Sequence, residues 1–565
     1  MNASAAHTNS AAMQFDLHIA EDDSLVHMFE RSCTDFANRP AISNWGTTLT
    51  YAEFDRYTRA FAAYLGASGF VKGDRIALMM PNLLQYPIAL FGALRAGMAV
   101  VNTNPLYTAR ELAYQLKDSG ATCIVVLANF AHVVEAVVRE TSVRTVIVTE
   151  LGDLLHFPKG PVLNVAARRF KKLVPKFNLP DAVPFKTTLK LGSRTPFQLP
   201  KVNASDLAFL QYTGGTTGVP KGAMLSHGNL VANLEQLSEA WKAIIEDGRE
   251  VMITPLPLYH VFSLTCALLT FTRHGGLNVL ITNPRDMPAF ISELKHWRFT
   301  FITGVSTLYN ALMQHPRFSQ LDFSALKLGV AGGMALQANV ASRWESITGR
   351  PMIEGYGLTE CSPVVACNVL GAAKLGTVGR VLPATEISLR DEHSDASASE
   401  LGELCVRGPQ VMRAYWNNPK ETSQVMTQDG WLRTGDIASI DNEGFIKIVD
   451  RKKDMIIIGG FKVFPSEIES VIAANEAVDE VGCIGVPDEK TGQAIKACVV
   501  VRKQHSITAE ELRDFCRQYL TPYKVPKLIE FRDSLPKTNV GKVLRRALVD
   551  QAAAPSHAQP NIATH

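Results

Sequence analysis

The residues best suited to chemistry in this chain lie in YTGGTTGVPKG, Tyr212 to Gly222, directly after the apolar run Leu207–Leu210. Four glycines, three threonines and one lysine share this short segment. Glycines let backbone N–H groups turn toward an anion, threonine hydroxyls add donors, and Lys221 adds a positive charge. Such a loop can cradle phosphate oxygens; the plainer alternative is a glycine-rich surface turn. Its spelling departs from the common nucleotide loop G-x-x-x-x-G-K-[ST], because Pro220 precedes the lysine and Gly222 follows it. Taken alone, the loop does not separate a kinase from an ATPase or a synthetase. A second candidate, His260 in PLPLYHVFSL, reads either as a buried, hydrogen-bonded core histidine or as a group facing a ligand.

The elements around these residues must hold them in place. From Arg75 onward, short apolar strands alternate with amphipathic helices: RIALMM, NLLQYPIALFGALRAG, AVVNT, TARELAYQLKDSG, TCIVVLA, NFAHVVEAVVRE and TVIVT. That alternation argues for a parallel sheet covered on both faces. A second series runs through 250–357, with VMIT, a helix around Phe290–Trp297, FTFITG, LKLGVAGG, a helix over Ala335–Gly349 and PMIEGYG. The expected fold class is therefore α/β, with two doubly wound subdomains in series. Ligands in such sheets bind outside the carboxyl ends of the strands, where the glycine-rich turns fall. From Leu375 to Val449, short β runs with Gly and Pro turns predict a small β-barrel or sandwich, and a compact α+β unit follows from Asp450. The expected division is a mobile N-terminus 1–22, an N-terminal domain 23–449 with its β-rich part at about 375–449, a C-terminal domain 450–550 and a disordered tail 551–565.

Bulk properties narrow the function classes. A chain of 565 residues, 46% apolar and 20% charged, has the composition of a folded soluble protein of several domains. The net charge of +3 gives no reason to expect a nucleic-acid partner, but it is unevenly spread: 154–205 carries ten Lys or Arg against the single acid Asp181. Within that block, 161–176 (PVLNVAARRFKKLVPK) can form a helix with Leu163, Ala166, Phe170 and Leu173 on one face and Arg168, Arg169, Lys171 and Lys172 around it. It reads either as a solvated helix packed on the core or as a reversible attachment to anionic lipid headgroups. Nine cysteines without a C-x-x-C pair read as buried thiols in a reducing compartment, with no zinc site. There is no basic-then-apolar leader at the N-terminus, and Pro255, Pro257 and His260 interrupt the uncharged stretch Val251–Thr272, so neither a secretory signal nor a membrane span is expected. The expected location is cytoplasmic, with peripheral contact on the cytoplasmic membrane face.

Further motifs follow the loop in order: GYGLTE (Gly355–Glu360), WLRTGD (Trp431–Asp436), DRKKDMIIIGG (Asp450–Gly460) and PKTNVGK (Pro536–Lys542). Together with YTGGTTGVPKG they resemble the adenylate-forming superfamily of acyl-CoA ligases, luciferases and peptide-synthetase adenylation domains, over about residues 25–548. ALMMPNLLQYPIALFGALRAG, VNTNPLYTARELAYQLKDSGA, ITNPRDMP and YKVPKLIEFRDSLPKTNVGKVLRR are most similar to bacterial long-chain fatty-acid–CoA ligases, and 429–453 resembles the segment by which fatty-acyl-CoA ligases are recognised.

The resemblance implies a two-step reaction. A carboxylate attacks the ATP α-phosphate to give an acyl-adenylate and pyrophosphate, and a CoA thiol then displaces AMP. Bringing an anion onto a polyanion demands dense N–H and positive character. By resemblance, Thr213, Gly214, Gly215, Thr216, Thr217 and Lys221 would hold the β- and γ-phosphates. Glu360, helped by Thr216, would hold Mg²⁺, and Thr359 would reach the α-phosphate. Asp436 and Arg451 would hold the ribose, while Gly332, Gly333, Met334 and Tyr356 would form the adenine slot. Lys542 would bridge the attacking carboxylate and the α-phosphate. Lys453 would be the hinge of a mobile C-terminal domain, and Gly459, Gly460 and Phe461 would face the pantetheine channel after rotation. Ile458 departs from the serine common at that position, and the loop after Asp391 lacks the usual Gly/Pro-rich turn. His260 would lie where the acyl and CoA channels meet, with Val261, Phe262, Gly304, Val305 and Thr307 lining an acyl tunnel.

The expected partners are a fatty acid, ATP and CoA, with Mg²⁺ as cofactor and the anionic membrane as a surface; a homodimer is left open. Competing readings are a medium-chain or aryl-acid CoA ligase, acyl transfer to a carrier protein, and a binding protein with a degenerate site. The presence of Lys221, Glu360, Asp436 and Lys542 together argues against the last.

Overall fold

The two expected series of strands form two separate sheets. In the computed structural model, which describes residues 17–213, 220–390, 401–459, 461–538 and 541–553, one sheet has seven strands. Its order is Val183–Pro184, Thr145–Thr149, Cys123–Leu127, Arg75–Met79, Ala99–Asn102, Leu207–Thr213 and Lys221–Ser226. All neighbours are parallel except the last pair, an antiparallel hairpin that closes at Thr213↔Lys221. Cys123–Leu127 is buried at every position, as a strand covered on both faces must be.

The second sheet has nine strands, in the order Arg380–Val381, Val364–Cys367, Met352–Gly357, Leu328–Ala331, Phe301–Gly304, Val251–Thr254, Leu277–Leu280, Pro40–Asn44 and Thr47–Thr50. Its centre is parallel, while the first two strands and the last run antiparallel to their neighbours. The hairpin at its far edge comes from the start of the chain, where Ile42 pairs with Asn278.

Local sequence sets the helix ends. Thr108 opens the helix Ala109–Ser119 with a capping box: its side chain accepts from the Glu111 N–H, and Glu111 accepts from the Thr108 N–H at 2.8 Å. Gly120 closes that helix at φ +60°, a left-handed conformation that glycine adopts without strain. Ser226 and Asn229 repeat the box at the start of His227–Trp241, directly after the hairpin.

The expected small barrel is instead a sheet of four strands, in the order Glu386–Arg390, Gly402–Arg407, Leu432–Ile440 and Ile446–Arg451; no closed barrel occurs among the described residues. Short β runs with turns report strands, but closure depends on hydrogen bonding between the first and last, which no local pattern carries. A further five-stranded sheet combines Phe461–Val463, Ile456–Ile458, Gly492–Val501, Val478–Asp488 and Leu528–Phe531. The chain divides into two compact units: Met1–Ser388 with Cys405–Thr434 and Asp441–Ile446, and Leu389–Leu404 with Gly435–Ile440 and Lys447–His565. All nine cysteines are free and buried. No described helix is long and apolar enough to cross a membrane.

The core of the first unit holds a buried arginine charge. The helix Gln85–Arg95 is buried at every residue, and the Arg95 guanidinium is fully enclosed. It pairs with Asp55 at 2.5 Å and Glu30 at 3.4 Å, and donates to the Thr58 hydroxyl at 2.6 Å. Asp55 is held below the usual carboxylate range: burial works against this, but Arg95 and Arg59 outweigh it. Removing the guanidinium leaves an empty space in the core and takes the inner partner of Asp55, which keeps only Arg59 at 2.9 Å on its exposed side, so Arg95→Ala is expected to cost about 3 kcal/mol in denaturant unfolding. A loss below about 1 kcal/mol would contradict this role.

Candidate active site

The candidate residues of the first unit gather at the carboxyl ends of strands. The hairpin Leu207–Thr213/Lys221–Ser226 carries Thr213 and Lys221 at the described ends of the glycine-rich loop. Gly214, Gly215, Thr216 and Thr217 lie outside the described residues. The loop's stems are held from the neighbouring helix: the Tyr212 hydroxyl donates to Asp118 at 2.5 Å and the Tyr114 hydroxyl to the Pro220 carbonyl at 3.1 Å. Lys221 is 9% exposed and forms an ion pair with Glu421, and its ammonium stands 5.3 Å from the Tyr415 ring centroid.

Met352–Gly357 delivers Tyr356 and leads into a single helical turn, Thr359–Cys361, that carries Thr359 and Glu360. The Glu360 carboxylate accepts a 2.6 Å hydrogen bond from the Tyr415 hydroxyl. Tyr415 thus stands between Lys221 and Glu360, a connection that no motif announced.

Gly304 ends one strand, and the Gly332 N–H donates to its carbonyl at 3.3 Å. A Cβ at Gly304 would lie 2.8 Å from the Tyr309 ring, and one at Gly332 would lie 2.9 Å from Cζ of Phe262. Both positions need glycine because aromatic rings occupy the side-chain space. Gly333 has φ +78°, which turns the chain toward Met334. Val305 is buried, and Thr307 lies in the first turn of Ser306–Gln314.

His260 caps Val261–Ser263 through its side chain, which accepts from the Phe262 N–H at 3.4 Å. The helix then widens into a π-helical stretch over Leu264–Leu269, a geometry often found beside functional sites. There the Thr265 hydroxyl donates to the Ser362 carbonyl at 2.8 Å, tying this helix to the Glu360 turn. The residue is only half-buried, yet its imidazole is desolvated enough to be pushed down to about 4. It is therefore neutral at neutral pH.

The second unit holds the other candidates. Asp436 is 3% exposed and pairs with Arg451 at 2.6 Å. Lys453 lies in the short turn Lys452–Asp454. Gly459 has φ +56°, and Gly460 lies outside the described residues. Lys542 closes a tight turn in which Thr538 donates to its carbonyl at 2.7 Å and accepts from its N–H at 3.0 Å. Its side chain is open to solvent, but partial loss of hydration, with Arg451 behind it, holds the ammonium below the usual lysine value.

Three residues beyond, Arg545 pairs with Asp450 at 2.8 Å, Asp454 at 3.0 Å and Glu469 at 2.6 Å. It fastens the lysine turn to the segment carrying Lys453, and sequence reasoning missed it. Its only local signal was a basic run, VLRR, directly after the motif lysine.

Two strand-end clusters, glycine-lined and next to a buried lysine and a carboxylate, suit the activation of a carboxylate by a nucleotide. The chain belongs to the AMP-binding enzyme family: the family model matches residues 29–416, and the model of the AMP-binding enzyme C-terminal domain matches 467–542. Among curated relatives, it is 53% identical to a long-chain-fatty-acid–CoA ligase of Escherichia coli O157:H7, over 94% of each chain. It is 54% identical to one of Yersinia pestis, also over 94% of each. Among solved structures, ATP-bound MatB from Rhodopseudomonas palustris superposes with a TM-score of 0.82 at 28% identity, covering 95% of this chain and 99% of that one.

His227 resembles His260: it is 1% exposed, accepts from the Leu25 N–H at 3.2 Å and is pushed down to about 4 by burial. Both native values lie below the 6.5 of an unfolded histidine, so the unfolded chain takes up protons first as pH falls. Their stabilising contribution is full above 6.5 and is lost toward about 4. The expected outcome is that neither ring titrates by NMR between about pH 5 and 8, and that the unfolding midpoint drops through the acid window. Ordinary titration of both rings would overturn it.

Proposed function

We propose that the chain is a long-chain fatty-acid–CoA ligase that forms an acyl-adenylate from ATP and a fatty acid and passes the acyl group to CoA. The observation that carries this reading is identity above half, along nearly the whole chain, to relatives bearing that name. In it, the described loop ends Thr213 and Lys221 flank the β- and γ-phosphates, with Gly214, Gly215, Thr216 and Thr217 between them. Thr359 reaches the α-phosphate. Gly332, Gly333, Met334 and Tyr356 receive adenine, and Asp436 with Arg451 holds the ribose. Lys542 supplies the positive charge that draws the attacking carboxylate onto phosphorus, a contact strongest in the transition state.

The donor set suits Mg²⁺. No described group of three or more His, Cys, Asp or Glu could hold a metal alone. Magnesium needs no such cage, since one or two carboxylates with phosphate oxygens and waters complete its shell. Glu360 offers a carboxylate with one oxygen engaged by Tyr415, and Thr216 is the proposed helper. When bound, the ion would offset charge on the phosphates.

For the acyl chain, Val261, Phe262, Gly304, Val305 and Thr307 form the proposed tunnel wall. An apolar wall stabilises about 0.8 kcal/mol per buried CH₂, so tunnel depth sets the preferred length. His260, neutral and half-buried, is the proposed residue at the tunnel mouth, where the acyl and CoA channels would meet. Gly459 and Gly460 are the proposed contacts for pantetheine, and the stacked pair Phe461–Tyr523, 4.8 Å between centroids, offers CoA an aromatic face. Lys453 is the proposed hinge between the two half-reactions.

The basic block gives a surface as well. Its helix differs from the expected one: Lys159–Val165 is α-helical, Ala166–Phe170 is π-helical, and the helix ends before Leu173. Leu163 and Ala166 are half-buried, so the exposed apolar set is Phe157, Val162, Val165, Phe170 and Leu173. Phe157 and Phe170 are 87% and 81% exposed, among Arg169, Lys171 and Lys172. We assign this set to reversible contact with an anionic lipid surface.

Two experiments test these readings. CoA-dependent AMP formation should favour palmitate or oleate over octanoate or coumarate, and the reverse order would overturn the substrate assignment. In the same assay, Lys542→Ala should lose adenylation while still converting supplied acyl-adenylate to thioester; equal loss of both would remove its assigned role. Separately, the protein should sediment with anionic vesicles in a salt-sensitive way, and Phe157→Ser/Phe170→Ser should weaken this; no binding by the parent protein would exclude the surface.

A further inference from the structure

A strap of backbone joins the lysine of the loop to the acid of the GYGLTE turn. Residues 412–416 run antiparallel beside Lys221–Ser226: Met224 N–H donates to Ala414 at 3.0 Å and Trp416 N–H donates to Gly222 at 2.7 Å. At its start, the Met412 N–H donates to the Glu360 carbonyl at 2.7 Å. The strap therefore fixes both backbones that carry the charged candidates. Its far end is anchored too, because Trp416 Nε1 donates to the Asp118 carbonyl at 3.0 Å while the Asp118 carboxylate accepts from Tyr212.

Two side chains on and after the strap reach the charges themselves. Tyr415, 7% exposed, donates to Glu360 Oε1 at 2.6 Å and presents its ring to the Lys221 ammonium. Glu421 pairs with that ammonium; their side chains are only 8% and 18% exposed for Lys221 and Glu421 respectively. Glu421 is itself set by a capped helix: Asn418 accepts from its N–H at 3.1 Å, and Thr422 Oγ1 accepts from the Tyr415 N–H at 3.0 Å. Pulling Lys221 away to meet a phosphate would leave the Glu421 carboxylate enclosed and unpaired, which is costly. A tether is the lower-energy use of the pair.

We propose that Tyr415 and Glu421 are positioning residues of the nucleotide site, Glu421 pinning the end of the loop through Lys221 and Tyr415 aiming the Glu360 carboxylate. This deepens the proposed function, because it rests on Glu360 facing a metal-bound nucleotide. It also shifts the expected task of Lys221, from gripping phosphate directly to holding the loop that does so. The described ends of the loop, Thr213 and Lys221, are then held in a paired hairpin before nucleotide arrives, with less ordering left for the moment of binding.

The test uses the full-length protein and two substitutions. Tyr415→Phe keeps the ring and its packing but removes the donor. Its Mg²⁺ requirement for adenylation should rise about tenfold, the size expected of one hydrogen bond to a charged group. Conversion of supplied acyl-adenylate to thioester should stay as in the parent. An unchanged Mg²⁺ requirement, or equal loss of both half-reactions, overturns the Tyr415 assignment. For Glu421→Gln, calorimetric binding of Mg²⁺ with a non-hydrolysable ATP analogue should weaken about tenfold, and Glu421→Asp, which keeps the charge, should recover most of it. Unchanged or tighter nucleotide binding by Glu421→Gln overturns the tether, since Lys221 would then be a phosphate ligand that Glu421 merely competes for. A parent protein without CoA-dependent AMP formation would refute the function itself; a parent active alongside indistinguishable variants would refute only this inference.

Discussion

A parallel sheet buried on both faces has nowhere to do chemistry except at the ends of its strands, and this constraint organises the first unit. Every strand of the kind seen in Cys123–Leu127 spends its side chains on two cores. Polar work is pushed into the turns that follow the carboxyl ends. Gly304 and Tyr356 lie in the last residues of such strands, and Gly332 and the Thr359–Glu360 turn follow them, in adjacent strands of one sheet. Thr213 ends a strand of the other sheet, where the antiparallel partner Lys221–Ser226 turns the chain back and offers its own edge to the strap at 412–416. Sheet topology, more than any single motif, brings residues distant in sequence to one place.

This explains what was legible in the sequence. The strands from Arg75 to Thr149 and from Val251 to Gly357 were readable because each is a short apolar run between polar turns, and the capped helices announced their own first residues. The glycines at 304 and 332 stood out as residue types, and the rings of Tyr309 and Phe262 now give the reason for them. What stayed hidden were pairings across long separations. Pro40–Asn44 looks like any short strand, and nothing local says it will join Leu277–Leu280. Tyr415 and Glu421 sit in an ordinary turn and helix start, and their polar groups gain meaning only from Glu360 and Lys221, 55 and 200 residues away. Periodicity reports that a face is buried and is silent on what buries it. The same gap turned the expected barrel into a four-stranded sheet and ended the basic helix before Leu173.

The second unit solves a different problem, holding a lysine on a short turn without enclosing it. Lys542 needs reach, so its turn cannot be buried. Rigidity comes instead from Arg545, whose guanidinium is spread over carboxylates at Asp450, Asp454 and Glu469 and over the Ser466 hydroxyl at 2.8 Å. A planar fork suits this role better than an ammonium, because it can meet several acceptors in fixed directions. Asp450 also accepts from the Ser466 N–H at 2.7 Å, so the residues before and after the Lys453 turn share one anchor. The proposed hinge and the proposed catalytic lysine are mechanically one piece.

The contact between Phe262 and Gly332 has a consequence for selectivity. The outer edge of the Phe262 ring fills the space where a side chain at 332 would stand, its Cζ at 2.9 Å from the position of the Cβ. In the proposed reading, Phe262 belongs to the acid's compartment and Gly332 to adenine's, so the two compartments share a party wall one ring thick. A change that reshapes one room moves the partition of the other. Acid preference and nucleotide affinity are then inherited together along this wall, and a variant line selected for a new acid would have to re-tune its hold on ATP at the same time.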